Sequence, residues 1–581
     1  MSVYAAGLLI SIIVYLAVGN YAGRKVKHLE DYFVAGRNAP TLLIVGTLVA
    51  SLMSTNAFMG ETGLGYSGFP AVVIILTAIN CIGYTAGGLY FGRFLRRSRA
   101  LTVAEYFGQR FDSRRVQVVA GVTIVLGCTA YLVMVTQGAA TIINEVTGLP
   151  FYGTLLIAWA GYTLFTLYSG SSGVVLTDTM MFLLFAAVAF LGLAFIMDDA
   201  GGWFTSIRDL AAYDAKPGII SWHGAVGPDA IWQTPVETLV YGIILGIAWG
   251  IVVAVSPWQA SRYLMARNEH IVIRSATITA GVVMVLYTVL MLSGAAVNLL
   301  NPNIEPNQEN MIWAALNVMP TLVGVLLMSG ILAAGLSSAS TFLSLVGFSA
   351  SNDILPQKTT DNQLRLKMSR RAMFVISLVA LAVAYALPEG KLFWITYFAG
   401  TLFASSWGPV AFMSVWSTRI TEAGAFWGII AGLLGNLLTN SLALLRIVDL
   451  PVLLDPILVG VVVSYVTVEL VSLGGKVTEK EHDLRERLHR VPESEIDADK
   501  LARTLLWPKL LIVFGAAFSV LLYFFYVVPY QQATGEPAMG EFLMSAGVGL
   551  SLVVTGVLAW WGTTRSYRLP ATHNAYAVPE D

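Results

Sequence analysis

The chain has 581 residues, of which 56% are hydrophobic and only 12% charged, with 34 basic against 35 acidic side chains. A soluble chain carries roughly 25% charge, so this composition belongs to a multi-span membrane protein, and the near-zero net charge excludes a nucleic-acid partner. The two cysteines, Cys81 and Cys128, lie in apolar runs and offer no disulfide framework, no HExxH or paired-histidine pattern suggests a metal centre, and no GxxxxGK[ST] phosphate loop is present.

A membrane span needs about 20 apolar residues. Fifteen runs qualify, near 4–22, 41–67, 70–95, 116–144, 151–170, 172–198, 234–263, 272–300, 320–350, 371–388, 391–417, 425–445, 453–472, 507–529 and 541–561. None alternates with a two-residue period, which excludes a β-barrel. With the N-terminus outside, every Lys and Arg falls on the inner loops except Arg208, Lys216, Lys391 and Arg446. That bias predicts an outside N-terminus and a cytoplasmic C-terminus. The first run has no basic residue before it and four soon after it, which reads as an anchor and not as a cleaved signal.

In chain order, the 41–67 run is the first irregular one. It holds Ser51, Ser54, Thr55 and Asn56 at mid-depth and Gly60, Gly63 and Gly65 beyond. Irregular backbone inside a bilayer must line a cavity, so the pattern predicts a broken helix whose freed carbonyls meet a cation. Glu61 follows this cluster, and its reading stays open between an ion site and the outer water boundary. Asp178 lies early in the 172–198 helix, where a charge costs roughly 2.5–3.5 kcal/mol even on lenient insertion scales. Two readings stand for it, an ion or proton site and a carboxyl hydrogen-bonded to a neighbouring helix. The 234–263 run is interrupted at Gly246, Gly250, Ser256 and Pro257, giving a second predicted break. In the 320–350 run, Ser337, Ser340, Thr341 and Ser344 share one helical face, with Ser338 on its flank. Such hydroxyls either ligate a hard cation or glue helices together. The segment 473–506 is dense in charges of both signs and predicts a solvated linker with a short surface helix. No nucleophile–base pair or metal cluster within the spans suggests an enzyme.

Several motifs, in order, resemble the sodium:solute symporter family. They are Asp31-Tyr32-Phe33-Val34-Ala35-Gly36-Arg37, Phe58-Met59-Gly60 through Gly65-Tyr66, Ser169-Gly170 through Thr177-Asp178, Arg262-Tyr263-Leu264-Met265-Ala266-Arg267, and Ala334-Gly335-Leu336-Ser337-Ser338. The resemblance spans roughly residues 1–470. It implies an all-α, leucine-transporter-like core of five plus five helices in inverted repeat, at 41–198 and 234–417. Around that core it implies an extra helix and loop at 1–40, an external loop at 199–233, two accessory helices at 418–472, the linker 473–506, and two further helices with a tail at 507–581. It also implies a sodium site built from Ala50, Met53, Ala334, Ser337 and Ser338, and a second one from Asp178, Ser340 and Thr341.

Leu52, Ala57 and about Leu76 stand where sugar-transporting members carry polar groups, which disfavours a sugar. The expected solute pocket draws on Ser54, Asn56, Ala57, Phe58, Asn80, Gln137, Trp249, Trp258 and Gln259, although tryptophans in membrane helices are commonly packing or interface residues. No membrane-embedded arginine stands out as a carboxylate clamp. Met181 departs from the glutamine that the family often carries. The resulting expectation is a sodium-coupled importer, in the cell membrane, of a small carboxylate, amino acid or related metabolite. Its partners are solute, sodium and lipid, with no other cofactor and no obligate protein partner. A uniporter or channel for a neutral solute such as urea and a transporter-like sensor are the alternatives.

Overall fold

The structure is a computed structural model that describes residues 2–24, 26–355, 361–387, 392–444 and 454–567. Lys25, Lys358, Lys391, Arg446 and Arg568, used above for orientation, lie outside the described residues. Within them, every regular element is helical, and Ala39 bridging Ala266 is the one isolated β-type pairing.

The long helices are α1 (Val3–Gly23), α2 (Thr41–Leu52), α3 (Asn56–Tyr66), α4 (Pro70–Ser98), α5 (Arg114–Thr147), α6 (Phe151–Asp199), α7 (Pro235–Val255) and α8 (Pro257–Met265). They continue with α9 (Glu269–Leu300), α10 (Thr321–Ile354), α11 (Asn362–Ala386), α12 (Leu392–Trp416), α13 (Glu422–Leu444), α14 (Pro456–Leu473), α15 (Ala498–Thr534) and α16 (Met539–Tyr567). Local chemistry sets their starts. Thr234 caps α7 through the Glu237 amide, Asn268 caps α9 through Ile271, and prolines occupy the first helical positions of α4, α7, α8 and α14.

Among the described residues, twelve helices are long and apolar enough to cross a membrane, or thirteen if the bent pair α2–α3 is one span. The fifteen expected runs differ from this at two places. Runs 151–170 and 172–198 join as α6, interrupted at Gly170 (φ 53°, ψ −158°). A Cβ there would come within 2.4 Å of the Tyr32 ring, so only glycine lets the short helix Leu29–Val34, which carries Asp31, Tyr32 and Phe33, dock. The 391–417 run forms α12, whose apolar character is diluted by Ser, Thr, Gly, Trp and Tyr.

Burial separates a centre from a periphery. The most apolar windows of α9 and α10 are each 78% buried, whereas those of α1 and of α15 are 17% and 22%. The central helices are the ones wrapped by protein, and α1, α11, α14 and α15 form its periphery. α4 and α7 approach backbone to backbone, since a Cβ on Gly83 would lie 2.2 Å from the Gly250 carbonyl oxygen.

The 473–506 segment carries the expected surface helix, Glu479–His489, but it is pinned to the core and not freely solvated. Arg97 pairs with Glu269 at 2.6 Å and also reaches the Leu488 carbonyl, while Arg110 donates to the Glu481 carbonyl. Main-chain carbonyls of the segment read as solvated are partners for buried arginines of the inner loops.

Candidate functional site

The break between α2 and α3 bends the pair by 55°. In a continuous helix the Ser54 amide would take the Ala50 carbonyl and the Ala57 amide the Met53 carbonyl. Here Ser54 N–H donates to Leu52 O and Ala57 N–H to Ser54 O, and Met53 leaves the helical region at ψ 83°. The two carbonyls so released are Ala50 and Met53. Ser338 on α10 donates to Ala50 O at 3.3 Å.

One residue earlier on α10, Ser337 donates to Asp178 Oδ1 at 2.7 Å, and Thr47 on α2 donates to Asp178 Oδ2 at 2.5 Å. Asp178 is fully buried, and both readings of it are compatible with these bonds. Arg262 completes the group, with one guanidinium nitrogen 3.6 Å from Asp178 Oδ2 and the same nitrogen donating to the Thr341 hydroxyl. α2, α6, α8 and α10 therefore meet at one oxygen-rich point, and Ser337 and Ser338 join its two halves.

These donors fit a hard monovalent cation. Two released carbonyls, hydroxyls from Ser337 and Ser338 and the Asp178 carboxylate are all oxygen donors in a protein-lined setting. Ala334, the remaining member of the first expected set, is buried one turn before Ser338. Ser340 departs from expectation, because its hydroxyl turns back to Ser337 O at 2.8 Å and so does not reach Asp178. Thr341 is held by Arg262.

Arg262 was counted above among the inner-loop charges, and no buried arginine was expected. Its side chain is 2% exposed, which corrects that reading. The cause is the Ser256–Pro257 break, where Ser256 takes ψ 146° and restarts the chain as α8, so a residue near the end of an apolar run faces inward. Thr47 was also missed. It sits one turn before Ala50 in an otherwise apolar run, where a single threonine carries little signal.

The expected pocket residues divide by their contacts. Gln259 donates to Leu48 O at 3.3 Å and Ser51 Oγ at 3.2 Å, tying α8 to α2 just before the break. Ser54 Oγ accepts from the Asn56 amide at 3.1 Å, which shapes the break itself. Phe58 packs edge-on against Phe185, and Trp258 lies in an aromatic cluster with Tyr131, Phe342 and Phe403. The Trp249 ring lies against Gly400, and Ala57 is buried without a polar atom to offer. Gln137 donates to Ala384 O and Leu387 O, leaving its buried Oε1 without a partner. Asn56 Oδ1 and Asn80 Oδ1 are likewise buried without partners. Glu61 is 4% exposed and buried within the protein.

The profile of the sodium:solute symporter family matches residues 32–432. The sodium/proline symporter of Salmonella typhimurium is 25% identical over 469 residues, covering 73% of this chain and 86% of that protein. The sodium/pantothenate symporter of Escherichia coli is 24% identical over 432 residues, covering 72% and 87%. Among solved structures, a Na+-coupled sialic acid symporter in a substrate-bound outward-open state aligns with a TM-score of 0.70 at 18% identity, over 83% of this chain and 99% of that one. Mhp1, a nucleobase-cation-symport-1 family transporter in a closed conformation, aligns with a TM-score of 0.51 at 13% identity, over 78% and 98%. This chain is similar to them in fold.

Proposed function

The chain belongs to the sodium:solute symporter family, and on that premise we propose that it moves a small organic solute into the cell by sodium-coupled alternating access. It is a transporter of the cell membrane and not an enzyme. The observation that carries the coupling reading is the meeting of the α2–α3 break with α10. Ala50 and Met53 release carbonyls there, Ser338 reaches Ala50, and Ser337 reaches Asp178.

The coupling follows from geometry. Sodium entering down a membrane potential contributes about 2.3 kcal/mol per 100 mV for each charge. It can drive solute uptake only if ion and solute stabilise the same conformation. A site whose ligands sit on α2, α6 and α10 is complete only when these helices are docked, so ion binding favours the docked arrangement. The first sodium binds at Ala50, Met53, Ala334, Ser337 and Ser338. A second binds at Asp178 with Thr341 and Ser340, once Arg262 turns away from Asp178 and Thr341 and the Ser340 hydroxyl turns toward the ion.

Fifteen spans with an outside N-terminus and a cytoplasmic C-terminus complete the reading, with inverted repeats at 41–198 and 234–417. The solute is an amino acid, carboxylate or related metabolite, held beside the break near Asn56 and Asn80. Proline and pantothenate, named for the sequence relatives, both carry a carboxylate.

The test is a thermal-shift screen of the purified protein against small metabolites, in sodium and in potassium. A compound that stabilises the protein only in sodium supports coupled binding and identifies the solute class. Equal stabilisation in both salts overturns the coupling and moves weight to a uniporter.

A further inference from the structure

The least balanced carboxyl in the membrane core is not at the sodium-type site. Glu61, in α3, is buried, and its Oε2 has no hydrogen-bond partner. The Tyr287 hydroxyl of α9 reaches the carboxyl, and Tyr131 of α5 lies within electrostatic range of it. Among the described residues no Lys, Arg or His forms an ion pair with it. A buried carboxylate without a counter-charge is costly, so this carboxyl stays neutral until a cation from outside the chain pairs with it.

We propose that Glu61 is the recognition group for a cationic amine on the transported solute. This rests on the symport reading above and narrows its solute class.

Three observations choose an amine. First, the neighbouring unpaired group on α3 is also an acceptor. Asn56 Oδ1 lies over Gly60, where a Cβ would come within 2.2 Å of it, and it has no partner. An ammonium supplies several N–H donors to such a set. Second, the surroundings are tyrosines. Tyr84, Tyr131 and Tyr287 lie within electrostatic range of one another, and the Tyr84 hydroxyl is buried without a partner. Aromatic rings beside a carboxylate attract a desolvated organic cation. Third, the guanidinium that could otherwise neutralise a carboxylate in this core, Arg262, is committed to Asp178 and Thr341.

A cavity lies beside the same helix, lined by the residue next to Glu61. Its volume is about 200 Å³, and Gly60 and Gly63 line it with Asn307, Gln308, Phe393 and Trp394. The amine end of the solute is therefore the end held by protein charge, and a carboxylate on it is held by neutral donors.

The experiment uses the full-length protein in proteoliposomes and reads uptake of labelled solute, with sodium or potassium outside. The probes are matched pairs: L-proline with cyclopentanecarboxylate, L-alanine with propionate, and choline with 3,3-dimethylbutanol. The aminated member of at least one pair gives a sodium-dependent signal, and its partner gives one weaker by at least about tenfold, as for a site built around a polar group it then lacks. Glu61→Gln loses the amine signal by a similar factor, Glu61→Asp keeps part of it, and sodium still stabilises the solute-free Glu61→Gln protein in a thermal-shift assay. A deaminated partner carried as well as the amine, unimpaired amine transport by Glu61→Gln, or silence with every amine overturns the proposal. Sodium-driven transport of a deaminated solute does so while leaving symport intact. Amine binding of equal strength in sodium and potassium, lost in Glu61→Gln, upholds the amine site and removes the symport reading instead.

Discussion

Asp178 and Glu61 are two carboxyls buried in one membrane core, and they are provided for in opposite ways. Asp178 has Thr47, Ser337 and Arg262 against it, so a complete set of counter-groups comes from three other helices. Glu61 has a tyrosine and an oxygen with no partner. The first arrangement is self-sufficient, and a cation reaching it must compete with a tethered guanidinium. The second leaves one carboxyl oxygen open to a ligand. Buried charge alone does not mark a binding site; what identifies one is the part of its requirement that the protein leaves unmet.

The largest effect expected from breaking this contrast lies at Arg262. Arg262→Met strands Asp178 and costs about 3–5 kcal/mol of stability, the usual penalty for removing one partner of a buried pair. Adding Asp178→Asn recovers most of it, because the pair is then replaced by neutral groups. Chemical unfolding in detergent reads the cycle, and a cost below about 1 kcal/mol for the single variant would mean that the pair is effectively solvated. Next in size is Ser337→Ala with Ser338→Ala. Each lost hydroxyl costs about 0.5–1.5 kcal/mol, yet the protein remains in the membrane and loses its stabilisation by sodium. Retained sodium stabilisation in that variant would remove Ser337 and Ser338 from the ion site.

Much of this was legible in the sequence for one physical reason, that polar groups are expensive in an apolar run. The cluster Ser51 to Asn56, the Ser337–Ser338 pair and Asp178 stood out because lipid-facing helices do not carry such groups without cause. What stayed hidden depended on direction rather than on composition. Arg262 looked like an inner-loop charge because nothing local says that Ser256 and Pro257 turn α8 inward. Ser340 and Ser337 could not be ranked by periodicity, since α10 is buried on every side from Gly330 to Phe348 and has no outward face. The 473–506 segment read as solvated because its carbonyls, which hold Arg97 and Arg110, are invisible in a list of side chains.

A smaller effect sharpens the contrast from the other side. Glu61→Gln replaces a carboxyl that no charge in the protein pairs, so solute-free stability changes by less than about 1 kcal/mol or rises. Asp178→Asn, by the same chemical change, leaves Arg262 without its partner and lowers stability. Parallel melting curves of the two variants measure the difference directly. Equal losses would mean that Glu61 is also satisfied internally.

The smallest expected effect concerns a group outside the membrane, where the same question of met and unmet charge can be asked with pH. His489 ends the surface helix Glu479–His489, donates from Nε2 to the Val415 carbonyl at 2.8 Å, and lies against the rings of Phe94 and Trp416. Burial first, and then the nearby Arg485, Arg97 and Arg93, lower its pKa from the ordinary 6.5, with the Val415 bond opposing them. The docked state therefore prefers the neutral ring, while the released helix takes up a proton near the ordinary value. Docking is at full strength above that value and weakens as pH falls below it. Amide hydrogen exchange across Glu479–His489 should accelerate between pH 7.5 and 5.5, after correction for the intrinsic rate, and His489→Gln should remove the acceleration. Unlike Asp178, His489 meets cations and no acid, so its ion balance improves when it stays neutral, and this is why acid loosens the helix instead of tightening it.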